Sequence, residues 1–578
     1  MSYKYPVIFL ILSLLSFVNI LSAQTTTGEQ AVQQSLLPEI DPQDIEIRSQ
    51  FRARFPGLIR QPILGMNPRP RVYQIDPNRM PFIETFDQVM ASLPVAMLSR
   101  PEAPEIKLLP YADSNIGFLR GGFGNYTTPE SELYLMTNIG NRNWISANVD
   151  FNSTNGHLNN QESSFRFFNG EIKYLGRVTD KTLLETRIGF FNNFNHLPAI
   201  ESLDTTTGFE TGRSEYDGIT FSTRVKQNRN TIEGWEANLN GYFHSLDIFG
   251  DPLFLTTDAD EFGIRADGKR VWAGNRLNET FSLMADLQFG SVDQTATGGS
   301  EFWSVTGFSG GYQRLFNFRT NIEADIGFYH VTDAVDNSTF YFAPKLGITQ
   351  RLFNGFKVRG EVSGKPEHRN LMDYKRENRF LSPDTELQHS YTLELTGEVI
   401  IEPVHGTKVR GGVSYKDIDN HAFYTRETVN TDVTGSINTF YTLNYQDATD
   451  FKIFAGISQQ FINNVFWLDA DGHWRRPRLS GNEKIPFEES FTIRSALSFK
   501  PVQRLLFEGW GEFVGSRENP AGSNLDSFLL IGTRVELALT NRIGVYGKIV
   551  NLLNQEYEIW QGYEERDFQA FAGFTIIF

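Results

Sequence analysis

The sequence ends on Phe568-Gln-Ala-Phe-Ala-Gly-Phe-Thr-Ile-Ile-Phe578, and this stretch decides the fold. Every second residue from Phe568 to Phe578 is apolar, which is the period of a β-strand with one apolar face. No turn, cap or polar tail follows it. Such a strand needs a partner on each side, because an open apolar edge promotes aggregation. We therefore expect the last strand to pair with the first and to close a barrel.

The opposite end of the sequence indicates export. Lys4 is followed by an apolar run over residues 7–21 and by small residues up to Ala23. This pattern predicts a secretory signal peptide over residues 1–23. A membrane anchor is the alternative, but the run is short for a bilayer crossing and continues into polar Gln24.

Composition excludes several classes of protein. The chain has 53 Lys and Arg against 69 Asp and Glu, and its net charge of −16 argues against a nucleic-acid partner. It has no cysteine, so disulfides and thiolate sites are excluded. No other apolar run has the length of a membrane helix, so a membrane position requires a barrel. The 49 Phe and 49 Gly suit many strands with one apolar face each.

Residues 24–110 differ from the rest of the chain. They contain 12 of its 24 prolines and show no sustained alternation. We expect a Pro-rich extension that is either periplasmic or inserted in the lumen, with one short helix over about residues 82–97. The sequence leaves both positions open.

Residues 111–578 alternate between apolar and polar positions, strand after strand. A soluble sandwich turns its charged face to outside water, whereas a membrane barrel turns it to a wet lumen. The signal peptide and the terminal phenylalanine favour the barrel. The charged positions of three adjacent strands are then expected to line the lumen: Lys357, Arg359, Glu361, Glu394, Glu398, Lys408 and Arg410.

The connections set the number of strands. Short turns alternate with long polar loops, which is the asymmetry of outer-membrane barrels. The pentapeptide Gln-Arg-Leu-Phe-Asn occurs at residues 313–317 and 350–354, and this interval fits one hairpin repeat. An even count further requires a strand over about residues 262–272 and a single return strand, over about residues 450–460, in the region 421–461. The total is about 22 strands, within a range of roughly 18 to 22.

Near the C-terminus the sequence resembles that of TonB-dependent receptors. The resemblance lies in residues 545–558, Val-Tyr-Gly-Lys-Ile-Val-Asn-Leu-Leu-Asn-Gln-Glu-Tyr-Glu, in the following Gly562-Tyr563, and in an aromatic last strand. It implies a 22-strand outer-membrane barrel over residues 111–578. Members of the family carry a folded plug before the barrel, whereas residues 24–110 are too few and lack its strand pattern. The resemblance is therefore to a receptor without a recognisable plug.

The same last strand resembles the signal that hands outer-membrane proteins to the barrel-assembly machinery. Its candidate residues are Phe574, Ile576 and Phe578. The expected partners are outer-membrane lipid, that machinery, and a protein that fills or caps the lumen. Trp144, Trp235, Trp303 and Trp510 are expected in the interfacial aromatic girdles.

Enzyme chemistry is not indicated. Residues 307–311 fit the G-x-S-x-G pattern, but they lie within a strand rather than at a strand-to-helix turn. A hydrolase built on Ser245, Ser309 or Ser390 is kept as a minor alternative. We expect no catalytic, cofactor or metal site. The main expectation is a barrel that passes or handles a polar solute or polymer, and the alternative is a non-conducting scaffold, filled by its leader or a partner, that serves in assembly, secretion or surface attachment.

Overall fold

The computed structural model describes residues 116–140, 142–157, 163–197, 213–228, 233–249, 257–276, 278–294, 299–316, 319–334, 337–404, 406–431, 435–462 and 465–578. The predicted signal peptide (1–23) and the whole of the predicted extension (24–110), with its expected helix, lie outside these residues. Within the described chain, no helix is long and apolar enough to cross a membrane.

The barrel strands of the described residues form one closed antiparallel sheet of 22 strands, and this confirms the predicted architecture. The first half of the barrel consists of β1 (Ile116–Gly124), β2 (Thr128–Asn138), β3 (Asn143–Thr154), β4 (Phe165–Thr179), β5 (Thr182–His196), β6 (Arg213–Asn228), β7 (Gly234–Phe249), β8 (Thr257–Ala273), β9 (Glu279–Gln294), β10 (Gly299–Phe316) and β11 (Thr320–Thr332). The second half consists of β12 (Ser338–Phe353), β13 (Phe356–His368), β14 (His389–Ile401), β15 (Thr407–Thr431), β16 (Gly435–Ile462), β17 (Phe466–Leu479), β18 (Phe491–Val502), β19 (Leu505–Val514), β22 (Phe528–Ala538), β23 (Ile543–Val550) and β26 (Gln569–Ile577).

The remaining elements of the described residues lie in the long connections. They are the helix α1 (Leu371–Glu377) and two short hairpins, β20 (Arg517–Glu518) with β21 (Asn524–Leu525) and β24 (Glu558–Trp560) with β25 (Tyr563–Glu564). Since they follow β13, β19 and β23, all three lie at the same end of the barrel, which we call the long-loop end.

The last strand closes the barrel as predicted. β26 pairs with β23 on one side and with β1 on the other, where the register runs from Phe118 opposite Ile577 to Gly124 opposite Phe571. Phe578 extends the seam, because Gly117 N donates to Phe578 O (2.8 Å) and Phe578 N donates to Gly117 O (3.0 Å). Every barrel strand therefore has two neighbours.

The two faces of the sheet differ in polarity. On β6, Ile219 and Phe221 are exposed, whereas Ser214 and Tyr216 on the alternate positions are buried. On β9, Leu287 is exposed and Asp286 is buried. An exposed apolar face and a buried polar face are the pattern of a barrel that meets lipid outside and encloses polar side chains.

The expected extra strand in the region 249–278 exists as β8, which covers residues 262–272. The region 421–461 also holds a single return strand, β16, but this strand starts at Gly435 rather than near residue 450. The reason lies in β15, which continues through a register shift between Ile418 and His421, with Asn420 at a positive φ of 58°. The residues that follow Asn420, which the sequence suggested to be a loop, therefore continue β15 as a bulged strand.

The expected girdle position is wrong for three of the four tryptophans. Trp144 and Trp303 are buried, and Trp510 shares the face of buried Glu508. Trp235 shares the face of exposed Leu239. A shift of one residue along a strand turns each side chain to the opposite face of the sheet. A tryptophan near a strand end does not show which of the two faces it lies on.

Candidate functional site

The candidate site is a folded cap at the long-loop end. It consists of residues 369–388, which connect β13 to β14, and residues 551–568, which connect β23 to β26. We call these two segments together the loop cap. They contribute much of the largest buried apolar cluster, which also includes wall residues from β5 to β10, β15, β16 and β22.

Local sequence explains why the first cap segment forms a helix. The Asn370 side chain accepts a hydrogen bond from Asp373 N (2.8 Å), and the Asp373 carboxylate accepts one from Asn370 N (3.3 Å). This reciprocal capping box satisfies two of the free amides at the start of α1. At the other end Asn378 N donates to Tyr374 O (2.8 Å), and the helix ends there.

One side of the loop cap is fixed to strands β6, β8 and β9. Leu371 N donates to Glu261 Oε2 (2.7 Å), and Lys375 Nζ donates to Ser214 Oγ (2.8 Å). Gln294 Nε2 donates to the carbonyl oxygens of Pro383 (3.0 Å) and Thr385 (2.8 Å). These bonds join residues that are 89 to 161 positions apart in sequence.

The other side is fixed to β15 and β16. Tyr424 OH donates to Tyr374 O (3.1 Å), and Tyr441 OH donates to Gln561 O (3.0 Å). Trp560 packs against both tyrosine rings, at centroid distances of 4.8 and 5.1 Å. The loop cap thus contacts strands on both sides of the β13–β14 hairpin.

The two cap segments also bind each other. The Arg379 guanidinium pairs with Glu565 (3.0 Å), and the rings of Phe380 and Tyr563 stack at a centroid distance of 3.4 Å. The β20–β21 hairpin binds the second segment as well, because Arg517 Nη1 donates to Ile559 O (2.8 Å). Trp560 and Tyr563 are buried in this packing, so their rings support the cap from within.

A small cavity separates the loop cap from the wall. Its lining includes His157, Ser164, His196, Arg379 and Arg566, and its volume is about 20 Å³. This is room for about one water molecule and not for a solute. His157 Nε2 lies 3.0 Å from Glu564 O, and burial lowers the pKa of His157 to about 4. At this place the loop cap therefore lies close to the wall.

One cation of the loop cap is in an unusual environment. Lys375 is 5% exposed, and its ammonium contacts Ser214 and, at 3.4 Å, Leu381 O. Burial, with a further contribution from the nearby Arg379, lowers the pKa of Lys375 to about 7. A charge so placed makes the packing of α1 sensitive to pH near neutrality.

The seven charged residues singled out from the sequence share one face of β13, β14 and β15. On β15 this face is the one opposite exposed Val413 and Tyr415. Arg359 lies directly across from Glu398 and is ion-paired with Glu361. On the same face Lys357 pairs with Glu402 (3.6 Å), and Glu394 pairs with Lys416 (3.7 Å). Lys408 and Arg410 continue the face on β15.

A second charged network crosses the closing seam. Arg120 on β1 pairs with Glu132 on β2 (3.0 Å) and with Glu536 on β22 (3.3 Å). Lys548 on β23 pairs with Glu130 on β2. Sequence reasoning missed these residues, although the alternating acids Glu130 and Glu132 gave a signal of the same kind as Glu394 and Glu398.

The hydrolase residues are not brought together. Ser245 Oγ donates to Asp260 (2.6 Å), while its neighbour His244 is buried against Tyr242 on the other face of β7. Ser390 and His389 are likewise consecutive on β14, and consecutive residues of a strand point to opposite faces. Ser309 lies within β10, opposite Gly327 and Met284. Among the described residues no group of three His, Asp or Glu side chains could hold a metal ion.

No family model and no curated protein matches the sequence. Solved structures do match the fold. The copper transporter OprC superposes with a TM-score of 0.63 at 9% identity, over 80% of each chain. A variant of the ferric enterobactin receptor PfeA from Pseudomonas aeruginosa gives 0.62 at 12% identity, over 80% of this chain and 81% of the other. The ferric-catecholate import receptor Fiu from E. coli gives 0.59 at 9% identity, over 81% and 82%.

These matches establish the fold. The described chain has the 22-strand barrel fold of TonB-dependent receptors, and the resemblance seen in the C-terminal sequence is confirmed at the level of the fold.

Proposed function

We propose that this protein is an outer-membrane barrel that passes or handles a polar solute or polymer, and that its own loops close the mouth. The loop cap carries the proposal. It is bonded to β6, β8 and β9 on one side and to β15 and β16 on the other, and the cavity beside it admits about one water. Since long loops of such barrels face the exterior, the closed end is the extracellular one.

The inner wall supports a polar cargo. In this proposal Lys357, Arg359, Glu361, Glu394, Glu398, Lys408 and Arg410 line the lumen. Both signs of charge alternate there at short distances, for example between Glu394 and Lys416. A wall of mixed sign favours solutes with many hydroxyl or zwitterionic groups over an ion of a single sign. The structural neighbours are named a copper transporter and a ferric enterobactin receptor, and these names support uptake as the general activity.

The proposed activity is not catalytic, because Ser245 and Ser390 are separated from the adjacent histidines by the pleat of their strands. Residues 24–110 act in this proposal as an extension from the barrel rather than as a family plug. The barrel-assembly machinery would recognise Phe574 and Ile576, which share one face of β26, and Phe578, which directly follows that strand.

A second candidate is a non-conducting scaffold, filled by its leader or by a protein partner and serving in assembly, secretion or surface attachment. The packing of the loop cap favours it, because cap side chains that share one buried apolar cluster with the wall resemble a protein core more than a gate. Co-purification of a stoichiometric partner that protects the loop cap from protease would support this function.

Swelling of proteoliposomes separates the two functions. The chain would be reconstituted without residues 24–110 and with Arg379→Met, which removes the ion pair to Glu565. Passage predicts swelling in neutral oligosaccharides, and the full-length wild-type protein gives the baseline. If the correctly folded variant swells no more than the wild-type protein in every solute, passage is contradicted and the scaffold function is supported.

A further inference from the structure

One end of the barrel has the opposite charge to the chain as a whole. This end consists of the ten connections opposite the long-loop end, taken with three strand residues on either side of each, and we call it the short-turn end. Its described residues include 13 Lys and Arg against six Asp and Glu, whereas the whole chain has a net charge of −16. Cations are therefore concentrated at the end away from the loop cap.

Three of these cations form a row across adjacent strands. Arg351 N donates to Arg319 O (2.7 Å), which places these two residues side by side where β12 ends and β11 begins. Arg351 also lies directly opposite Lys357 of β13. We call Arg319, Arg351 and Lys357 the cation row.

The cation row lies on the face of the sheet that carries charged side chains. Directly opposite residues of neighbouring strands share one face, and Lys357 belongs to the charged face of β13 to β15 described above. Leu352 follows Arg351 in the sequence, points to the other face and is 49% exposed there. The row is therefore not part of the apolar outer surface that would contact lipid.

The charges of the cation row are only partly balanced by the protein. Lys357 pairs with Glu402 (3.6 Å). The side chains of Arg319 and Arg351 are exposed, and the part of the chain that the structure describes gives neither of them an ion pair. Like charges in direct opposition are unfavourable in a sheet. An anionic ligand between them would remove this repulsion.

The adjoining wall suits the polar body of such a ligand. Beyond Lys357 the same face continues through Ile400 of β14 to Arg410 of β15. Further along β13, Arg359 is ion-paired with Glu361. The wall therefore changes from a single sign of charge at the short-turn end to mixed signs further inside. A solute with anionic groups on a neutral polar body matches this change.

We propose that the cation row binds a polar solute that carries two or more phosphate groups. Neighbouring strands lie about 4.8 Å apart, so a phosphate between two cations of the row can accept hydrogen bonds from both with different oxygens. The row has two such gaps, one on each side of Arg351. A carboxylate fits less well, because its two oxygens suit one guanidinium at a time. The inference rests on the proposed function, since it names the chemistry of the solute that the barrel handles.

The test is isothermal titration calorimetry on the purified full chain in a non-ionic detergent. Four probes are compared: fructose 1,6-bisphosphate, fructose 6-phosphate, fructose and citrate. The proposal predicts that the bisphosphate binds most tightly and that its affinity falls as salt is raised. Absence of bisphosphate binding would overturn the proposal. Equally tight binding of the monophosphate, of fructose or of citrate would overturn it as well.

The variant Arg351→Gln removes the central charge of the row. We expect affinity for the bisphosphate to fall about tenfold, the effect of losing about 1.4 kcal/mol from a charge-assisted contact. Arg351→Lys keeps the charge and should retain most of the affinity. Arg142→Gln is the matched control, because Arg142 is an exposed arginine of the same end that already pairs with Asp180. An equal loss in Arg351→Gln and Arg142→Gln would show general attraction to a basic surface and would contradict the row.

Thermal melting separates ligand binding from folding. Because Arg351 opposes other cations, Arg351→Gln should melt at or above the temperature of the wild type. Added bisphosphate should raise the Tm of the wild type and change that of Arg351→Gln much less. A lower Tm of the variant without ligand would show that Arg351 stabilises the barrel itself and would contradict the proposed role.

Binding in detergent does not depend on passage through the barrel. Bisphosphate binding without swelling of proteoliposomes would leave this inference standing and count only against passage in the proposed function. Swelling without bisphosphate binding would overturn this inference and leave the proposed function in place.

Discussion

Gly573 on the last strand lies against the carbonyl oxygen of Gly121 on the first, so closely that a Cβ built on Gly573 would overlap that oxygen. The same Cβ would lie 2.5 Å from Tyr546 Cε1. The pairing of β26 with β1, which closes the barrel, therefore requires a glycine at position 573. Backbone atoms of β1 cannot move away without breaking their bonds to β2 and β26.

Gly573→Ala should weaken the seam. Overpacking of this kind costs about 1–3 kcal/mol, and the variant should lose its compact form at a lower temperature in a gel assay of heat-modifiable migration. Gly547→Ala on neighbouring β23 is the control, because its Cβ would meet its nearest atom at an ordinary 3.9 Å. Equal melting of the two variants would show that the seam tolerates the extra atom.

Phe578→Ala should affect assembly more than stability. Its ring is 54% exposed, whereas its backbone makes both bonds to Gly117 and keeps them in the variant. We expect less folded protein in the outer membrane of cells, with little change in the melting of the purified barrel. Phe302→Ala removes a ring that is 68% exposed from a middle strand and serves as the control. Equal membrane yields of the two variants would count against an assembly signal at Phe578.

Breaking the Arg379–Glu565 pair should loosen the loop cap. Either Arg379→Met or Glu565→Gln leaves one charged group buried, at a cost of roughly 1–3 kcal/mol. Proteinase K should then cut residues 369–388 faster. The loss of stability in the double variant should be smaller than the sum of the losses in the two single variants. Arg142→Met, at the exposed pair with Asp180, is the control. Unchanged cleavage in all variants would mean that the pair does not hold the cap.

The buried Lys375 predicts a dependence on pH. Its folded pKa of about 7 lies below the unfolded value of 10.5, so the unfolded chain binds the extra proton between these values. Stability should therefore rise with pH from about 7 to about 10.5, by at most about 1.4 kcal/mol per pH unit. Lys375→Met should remove this rise and should be the more stable form below pH 7. Lys484→Met, at an exposed lysine, should retain it; thermal melting at pH 6, 8 and 9.5 makes the comparison.

The barrel was predictable because each strand repeats one local rule. The alternation and the parity of turns located β8 and the closing strand, and the C-terminal motif indicated the fold family. The face on which a single residue lies was harder to predict, as the buried Trp144 and Trp303 show. The bulge at Asn420 also prevented a correct prediction of where β16 starts.

The loop cap was not predictable from local pattern. Its anchors join Leu371 to Glu261 and Lys375 to Ser214, pairs more than a hundred positions apart. Neither Glu261 nor Ser214 differs in sequence context from other polar residues near strand ends. What the sequence contained was the capping box at Asn370 and Asp373, which indicates a helix start but not the surface that the helix covers.

The most direct test is the conductance of single barrels in planar bilayers. Two chains would be compared, both without residues 24–110, one with the natural loop cap and one with residues 370–387 replaced by a short Gly-Ser linker. A polar lumen closed by its own loops predicts large, stable conductance in the linker variant and little in the other. Equal conductance of the two chains, whether high or absent, would contradict it.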